Sequence, residues 1–117
     1  MPMIPFETQS TSPDGRYRIE AAPWEAGNSH WVYPPRIIDA VSGACLFEFQ
    51  DPRWSLDRAA WLSDTQVELM LRKYPGQLTG HGLRVRVDCA GRVARCGEGA
   101  GVELADLETA LERHACG

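Results

Sequence analysis

Apolar and polar residues alternate along much of this 117-residue chain, and the alternation predicts β-strands. Val67, Leu69 and Leu71 alternate with polar neighbours, and the run from Leu83 to Val87 repeats the pattern. A period of two places one side of a strand in the core and the other in solvent. We therefore expect antiparallel strands with one buried face each.

The stretch from 36 to 74 carries most of the large apolar side chains and is interpreted as the centre of the core. Turns at Ser42-Gly43, Asp51-Pro52 and Ser63-Asp64 divide it into short strands. Between the last two turns, the residues from Trp54 to Trp61 form a corner too short for a stable helix. The predicted strand after Gly43 has Cys45, Phe47 and Phe49 on one face.

Upstream, the pattern predicts strands over residues 4–11 and 16–22, separated by a turn at 12–15. A second hairpin has its tip at Gly27-Asn28 and its return strand at residues 30–33. Downstream, a glycine-rich loop spans 75–82. The hairpin that follows, over 83–96, has a basic outer face that includes Arg84 and Arg86.

The C-terminal segment after a glycine-rich linker at 97–101 is the one predicted helix, over 102–115. Leu104, Leu107 and Leu111 mark its apolar stripe. The predicted fold class is mainly β (α+β), an antiparallel β-meander sheet of about seven to nine strands with one C-terminal helix. The chain is interpreted as a single domain, 1–117, with the β-sheet body at 1–96.

Ser12-Pro13-Asp14-Gly15-Arg16-Tyr17 resembles the turn–strand signature of β-propeller repeats. Ile37-Ile38-Asp39 with Ser42-Gly43, and Trp61 to Val67, extend that resemblance over residues 12–74. A propeller needs at least about four blades, so the resemblance implies a blade-like meander and not a complete propeller. A small β-meander with one helix and no catalytic signature is also similar in style to bacterial immunity proteins that neutralise secreted toxins.

The formal net charge of −4 resides entirely after residue 96. The acidic balance argues against a nucleic-acid partner. With no apolar run of about 20 residues and no secretory signal, we expect a cytoplasmic protein that does not bind a membrane. In that compartment we expect reduced thiols. Cys45 and Cys89 are interpreted as small core residues, and a Cys89–Cys96 disulfide is the alternative.

No spacing of histidines and cysteines matches a structural metal site, and no motif for a nucleophile, a phosphate or a cofactor is present. We therefore predict no cofactor, no metal site and no catalytic residues. An enzyme of unknown reaction is the third hypothesis, and it requires a pocket around Glu48, Glu68 and His81.

Binding residues are the better candidates, because tryptophan, tyrosine and arginine dominate interface hot spots. One predicted partner surface comprises Trp31, Tyr33, Arg36, Arg53 and Trp54. Alternatively, Trp31, Tyr33 and Trp54 cover the ends of the hydrophobic core of a small sheet. A second surface is the acidic helix face of Glu103, Asp106 and Glu108, suited to a basic toxin. The leading hypothesis is a small protein-binding module, an immunity protein acting by steric occlusion. The alternative is an assembly module that self-associates by sheet edges, as a homodimer for example.

Overall fold

The computed structural model describes residues 6–25, 31–73, 83–97 and 101–114, and this part of the chain contains eleven strands and one α-helix. The strands are β1 (Glu7–Thr11), β2 (Tyr17–Ala21), β3 (Trp24–Glu25), β4 (Trp31–Val32), β5 (Pro35–Asp39), β6 (Cys45–Glu48), β7 (Trp54–Trp61), β8 (Gln66–Lys73), β9 (Leu83–Asp88), β10 (Val93–Cys96) and β11 (Val102–Glu103). A 3-10 turn, Leu104–Asp106, leads into α1 (Leu107–His114).

The strands form three antiparallel sheets, which confirms the predicted mainly β fold with one C-terminal helix. The first sheet has the order β1-β2-β5-β6. The second sheet is a five-stranded meander in the order β11-β10-β9-β8-β7. The third sheet is the two-stranded ribbon β3-β4. The predicted hairpin tip at 27–28 and the loop at 75–82 lie outside the described residues.

The turn between β1 and β2 forms as the sequence predicts. The Ser12 hydroxyl donates to the Asp14 carboxylate at 2.8 Å and accepts from the Tyr17 amide at 3.0 Å. Gly15 has φ +79°, a left-handed conformation that glycine adopts without steric cost. The turn fixes the register of β2, in which Tyr17, Ile19 and Ala21 are buried.

The segment predicted to be a corner is instead β7, an eight-residue strand paired with β8. A register shift between Leu56 and Arg58 leaves Asp57 as an extra residue, a β-bulge. The bulge interrupts the period of two, because the residues before and after it alternate out of phase. This interruption is why the sequence pattern did not indicate a strand.

The predicted helix start at Val102 is wrong by five residues. Val102 and Glu103 pair with Ala94 and Val93 and add a short fifth strand to the second sheet. The Leu104 amide then donates to the Arg92 carbonyl at 2.8 Å. A β-branched residue beside an open sheet edge favours pairing over helix, so the helix begins only at Leu107.

One hydrophobic core is shared by the two large sheets and the helix. The first sheet contributes residues such as Ile19 and Ile37, and the second contributes the inward rows of β8 and β9. The helical leucines fill the same core. At one side of the core, the Trp61 indole N–H donates to the Ser10 hydroxyl at 2.8 Å, which links β7 to β1. No helix in the described part of the chain has the length and apolar character needed to span a membrane.

The cysteines differ from the expected reduced state. Cys45 and Cys89 are free, but Cys96 is disulfide-bonded, and the free Cys89 excludes a Cys89–Cys96 bridge. The expectation of reduced thiols came from the predicted compartment alone and did not consider which thiols the fold brings together. Cys89 is buried as predicted, and burial raises the pKa of its thiol to about 12. Cys45 is exposed because a register shift in the β5–β6 pairing skips Leu46.

Leu107→Ala tests whether the helix is part of the core. Leu107 is 0% exposed, so we expect the substitution to lower the free energy of unfolding by about 2–5 kcal/mol. The matched control Leu62→Ala removes a leucine that is 48% exposed and should change it by about 0.5 kcal/mol or less. Urea denaturation followed by tryptophan fluorescence measures both. Equal effects of the two substitutions would show that the helix is not docked.

Candidate functional site

An acidic groove runs between β6 and the helical segment. The predicted acidic helix face is divided: Asp106 is exposed on the 3-10 turn beside the groove residue Ala105, whereas Glu103 belongs to β11 and lies opposite Val93, on the outer face of the second sheet. No ion pair engages either of them within the described residues. Glu108 and Glu112, four residues apart, share the helix side next to β6. The groove has a volume of about 530 Å³, and its lining includes Leu46, Phe47, Glu48, Glu108, Thr109 and Glu112.

Glu108 joins the helix to the turn that follows β6. Its two carboxylate oxygens accept hydrogen bonds from the backbone amides of Gln50 at 2.6 Å and Asp51 at 3.0 Å. These donors are neutral, so the negative charge of Glu108 is not cancelled. Glu48 is half-exposed, and its carboxylate is 3.9 Å from the Arg36 guanidinium. The groove therefore keeps a net negative charge above an apolar floor.

Beside the groove, a network of ion pairs fixes the start of β7. Arg53 donates to the Asp51 carboxylate at 2.8 Å, and these bonds hold the pKa of Asp51 well below its usual range. Lys73 donates to Glu112 at 2.6 Å, which raises the pKa of Lys73. The Trp54 indole N–H donates to the same Glu112 carboxylate at 3.3 Å.

The aromatic candidates near this network divide into exposed and buried residues. Trp31 is 51% exposed on the β3-β4 ribbon, which is held to the Asp51–Arg53 turn by a bond from the Trp24 indole to the Pro52 carbonyl at 2.8 Å. Tyr33 is half-buried, and its backbone amide donates to the Ser55 hydroxyl at 3.0 Å. Trp31, Tyr33 and the exposed Arg53 thus flank the same turn.

Trp54 does not belong to a binding surface, contrary to the prediction. It is 2% exposed, and its ring stacks on Phe49 with the centroids 5.3 Å apart. The unpredicted strand β7 explains the difference, because strand pairing directs this side chain into the core. The tryptophan is a core cap, the alternative that the sequence left open.

Arg36 makes its contacts on the first sheet, with Glu20 and Phe6. Its guanidinium donates to Glu20 at 2.9 Å and covers the Phe6 ring at 3.3 Å from the centroid. Burial raises the pKa of Glu20, but hydrogen bonds from Arg18 and Arg36 outweigh burial, and the net effect lowers the pKa. In the described part of the chain, no hydrogen bond or ion pair joins Arg36 to Trp31, Tyr33 or Arg53.

The carboxylates considered for an enzyme do not meet. Glu48 belongs to the first sheet, whereas Glu68 lies in the second sheet, 3.7 Å from Arg84 and 3.8 Å from Arg86. His81 lies outside the described residues. No group of three or more potential metal ligands occurs among the residues that the structure describes.

Sequence reasoning did not identify the network of Asp51, Lys73 and Glu112. The partners are 22 and 39 residues from Lys73 in sequence, and only pairing of the sheets brings them together. The spacing of Glu108 and Glu112 was the one available signal, since carboxylates four apart share one side of a helix. No family model, curated protein or solved structure matches this chain.

Glu108→Ala should destabilise the fold, because it removes the acceptor of two backbone amides. We expect a loss of about 1–3 kcal/mol in the free energy of unfolding. Glu103→Ala is the matched control, since Glu103 is exposed and makes no side-chain cap bond, and its effect should be within about 0.5 kcal/mol. Chemical denaturation compares the two. A neutral Glu108→Ala would contradict the assignment of this carboxylate as the link between helix and turn.

Asp51→Asn should make the free energy of unfolding less sensitive to acidic pH. The folded-state pKa of Asp51 is lowered, whereas an unfolded aspartate titrates near about 3.9. The stabilisation is therefore present above about pH 4 and is lost as the pH falls toward the folded pKa. Urea titrations from about pH 5 to about pH 2 should give a shallower slope for Asp51→Asn than for wild type. Asp64 is exposed, so Asp64→Asn should keep the wild-type dependence of the free energy of unfolding on pH. The same dependence in wild type and in both variants would show that Asp51 does not contribute.

Proposed function

We propose that this chain is a small protein-binding module that binds a basic protein partner through the acidic groove. The more specific proposal is a cytoplasmic bacterial immunity protein that neutralises a toxin by covering its active surface. The observation that carries the proposal is the groove itself, in which the carboxylates of Glu48, Glu108 and Glu112 lie along an apolar floor, with the exposed Asp106 next to the lining residue Ala105.

The composition of the surface supports a protein partner. Protein interfaces combine an apolar, well-packed centre with a polar rim, and here Leu46 and Phe47 line the same groove as Glu48 and Glu108. Trp31 offers a half-exposed indole on the neighbouring ribbon. Tryptophan and arginine provide much of the energy in interface hot spots, so Trp31 and Arg53 are the expected anchors.

The charge of the surface supports a basic partner. Carboxylates that carry no counter-ion attract a positive surface at long range and accelerate association, especially at low salt. A nuclease-like toxin exposes such a surface where it binds its own polyanionic substrate. Occupying that surface would block the toxin without any chemistry in this chain.

Self-assembly by sheet edges has less support. Edge pairing needs a long, exposed and uncharged strand. Of the two outer strands of the second sheet, β11 has two residues, one of them Glu103, whereas β7 has eight residues but contains a bulge and the charged, exposed Asp57 and Arg58. The outer strand β1 of the first sheet is mostly exposed and begins with a charged residue, Glu7.

Reversing two exposed acidic charges at the groove tests the proposal. Tagged wild-type chain is used to capture a stoichiometric partner from the native lysate, and binding to the purified partner is then measured by surface plasmon resonance. Glu48→Lys/Asp106→Lys should slow association by about tenfold or more at low salt, because electrostatic steering acts on the association rate. Trp31→Ala should speed dissociation by about thirtyfold, the value for a hot-spot residue worth 2 kcal/mol.

The matched control, Glu7→Lys/Asp64→Lys, changes the net charge by the same amount at exposed positions away from the groove. It should keep the wild-type association rate within about threefold at moderate salt. Neutralisation also requires that the captured partner lose its toxic activity when bound. If the tagged chain captures only untagged copies of itself, and the solution mass of the purified chain rises with concentration, self-assembly replaces the proposal.

A further inference from the structure

The outer face of the second sheet is rich in arginine. Residues that alternate with the buried rows of β8, β9 and β10 point away from the core and are exposed or half-buried. The arginines on this face, here called the arginine face, are Arg58, Arg72, Arg84, Arg86 and Arg95. The hairpin's predicted basic outer face is thus observed, and it continues across the neighbouring strands.

The five arginines of this face outnumber by one its four carboxylates, which belong to Asp57, Glu68, Asp88 and Glu103. The Glu68 carboxylate lies 3.7 Å from the Arg84 guanidinium and 3.8 Å from that of Arg86, so two cations share one carboxylate. Asp57 pairs with Arg72 at 3.1 Å. The described residues provide no ion-pair partner for Arg58 or Arg95.

One cross-strand pair carries a local energetic cost. In the β9–β10 register, Arg86 lies directly opposite Arg95. Like charges at directly opposite positions destabilise a sheet. Both side chains line a depression of about 330 Å³ together with Gln66, Val93 and Asp88, whose carboxylate accepts hydrogen bonds from the Ala90 and Gly91 amides. Positions where a sequence violates a local stability rule are expected at functional sites.

The geometry disfavours nucleic acid as the occupant. Proteins that bind single strands on a sheet stack the bases on aromatic side chains, and the outward positions of β8 to β10 hold no aromatic residue among those described. A two-stranded ribbon can enter the DNA major groove, which is about 12 Å wide. Here β9 is flanked by β8 and β10, and five strands span about 19 Å, too wide to enter.

We propose that the arginine face docks an acidic protein surface, with carboxylates of the partner seated between Arg86 and Arg95. Arginine and methionine are enriched in protein interfaces, and Met70 lies among the arginines with Val93 at the border. The helix packs on the opposite side of the same sheet, so this face and the acidic groove can be occupied together. The proposal does not depend on the function assigned to the groove.

Arg95→Glu separates binding from folding. It places a carboxylate opposite Arg86, so the thermal midpoint should rise, because a repulsive pair becomes an attractive one. Binding of fluorescent poly-L-glutamate, measured by anisotropy at low salt with the full chain, should weaken by about tenfold. The matched control Arg113→Glu changes the net charge equally on the exposed side of the helix and should alter binding by less than about threefold.

Oligouridylate and duplex DNA are titrated in parallel as competing polyanions. If either nucleic acid binds more tightly than poly-L-glutamate, and Arg95→Glu abolishes that binding, the face belongs to a nucleic-acid site and the proposal is overturned. Equal loss of poly-L-glutamate binding in Arg95→Glu and Arg113→Glu would show a non-specific charge effect and also overturn it. A thermal midpoint that falls in Arg95→Glu would remove the argument from the opposed arginines.

Discussion

Burial of one apolar face from each large sheet in a single core is the constraint on which the rest of the structure depends. Each sheet alone would leave its apolar face exposed, and among the described residues the buried rows of both sheets belong to one shared core. The leucines at 104, 107 and 111 close the core at its side and so determine where the helix lies. Since hydrophobic burial is the dominant favourable term in folding, this arrangement decides which faces remain for recognition.

The surfaces left in solvent differ in charge. Arginines collect on the outer face of the second sheet, where β-pairing holds Arg86 and Arg95 opposite each other. Carboxylates collect along the helix and β6, where Glu108 connects the helix to the turn before β7. The formal net charge of −4 hides this division, because opposite faces cancel in the sum. The position of charges, and not their total, is what a partner encounters.

Strands with unbroken alternation could be predicted from the sequence. The inward residues Val67, Leu69 and Leu71 are all buried, and so is the inward row of β9. The prediction failed where tertiary pairing overrides the local pattern. A bulge at Asp57 concealed β7, and Val102 joined a sheet edge that only the folded chain provides. Candidate site residues were harder to predict from the sequence. Trp54, for example, is buried because it belongs to β7, a strand that the pattern did not predict.

We propose that the arginine face and the acidic groove, on opposite sides of one core, bind partners separately. Amide chemical shifts of the nitrogen-15-labelled chain, titrated in parallel with poly-L-glutamate and with poly-L-lysine, distinguish separate binding from a shared charge effect. Poly-L-glutamate should shift the amides of β9 and β10, and poly-L-lysine should shift those of β6 and the helix. Overlapping sets of shifted amides, or shifts spread over both sheets with either polymer, would show that the two faces do not bind separately.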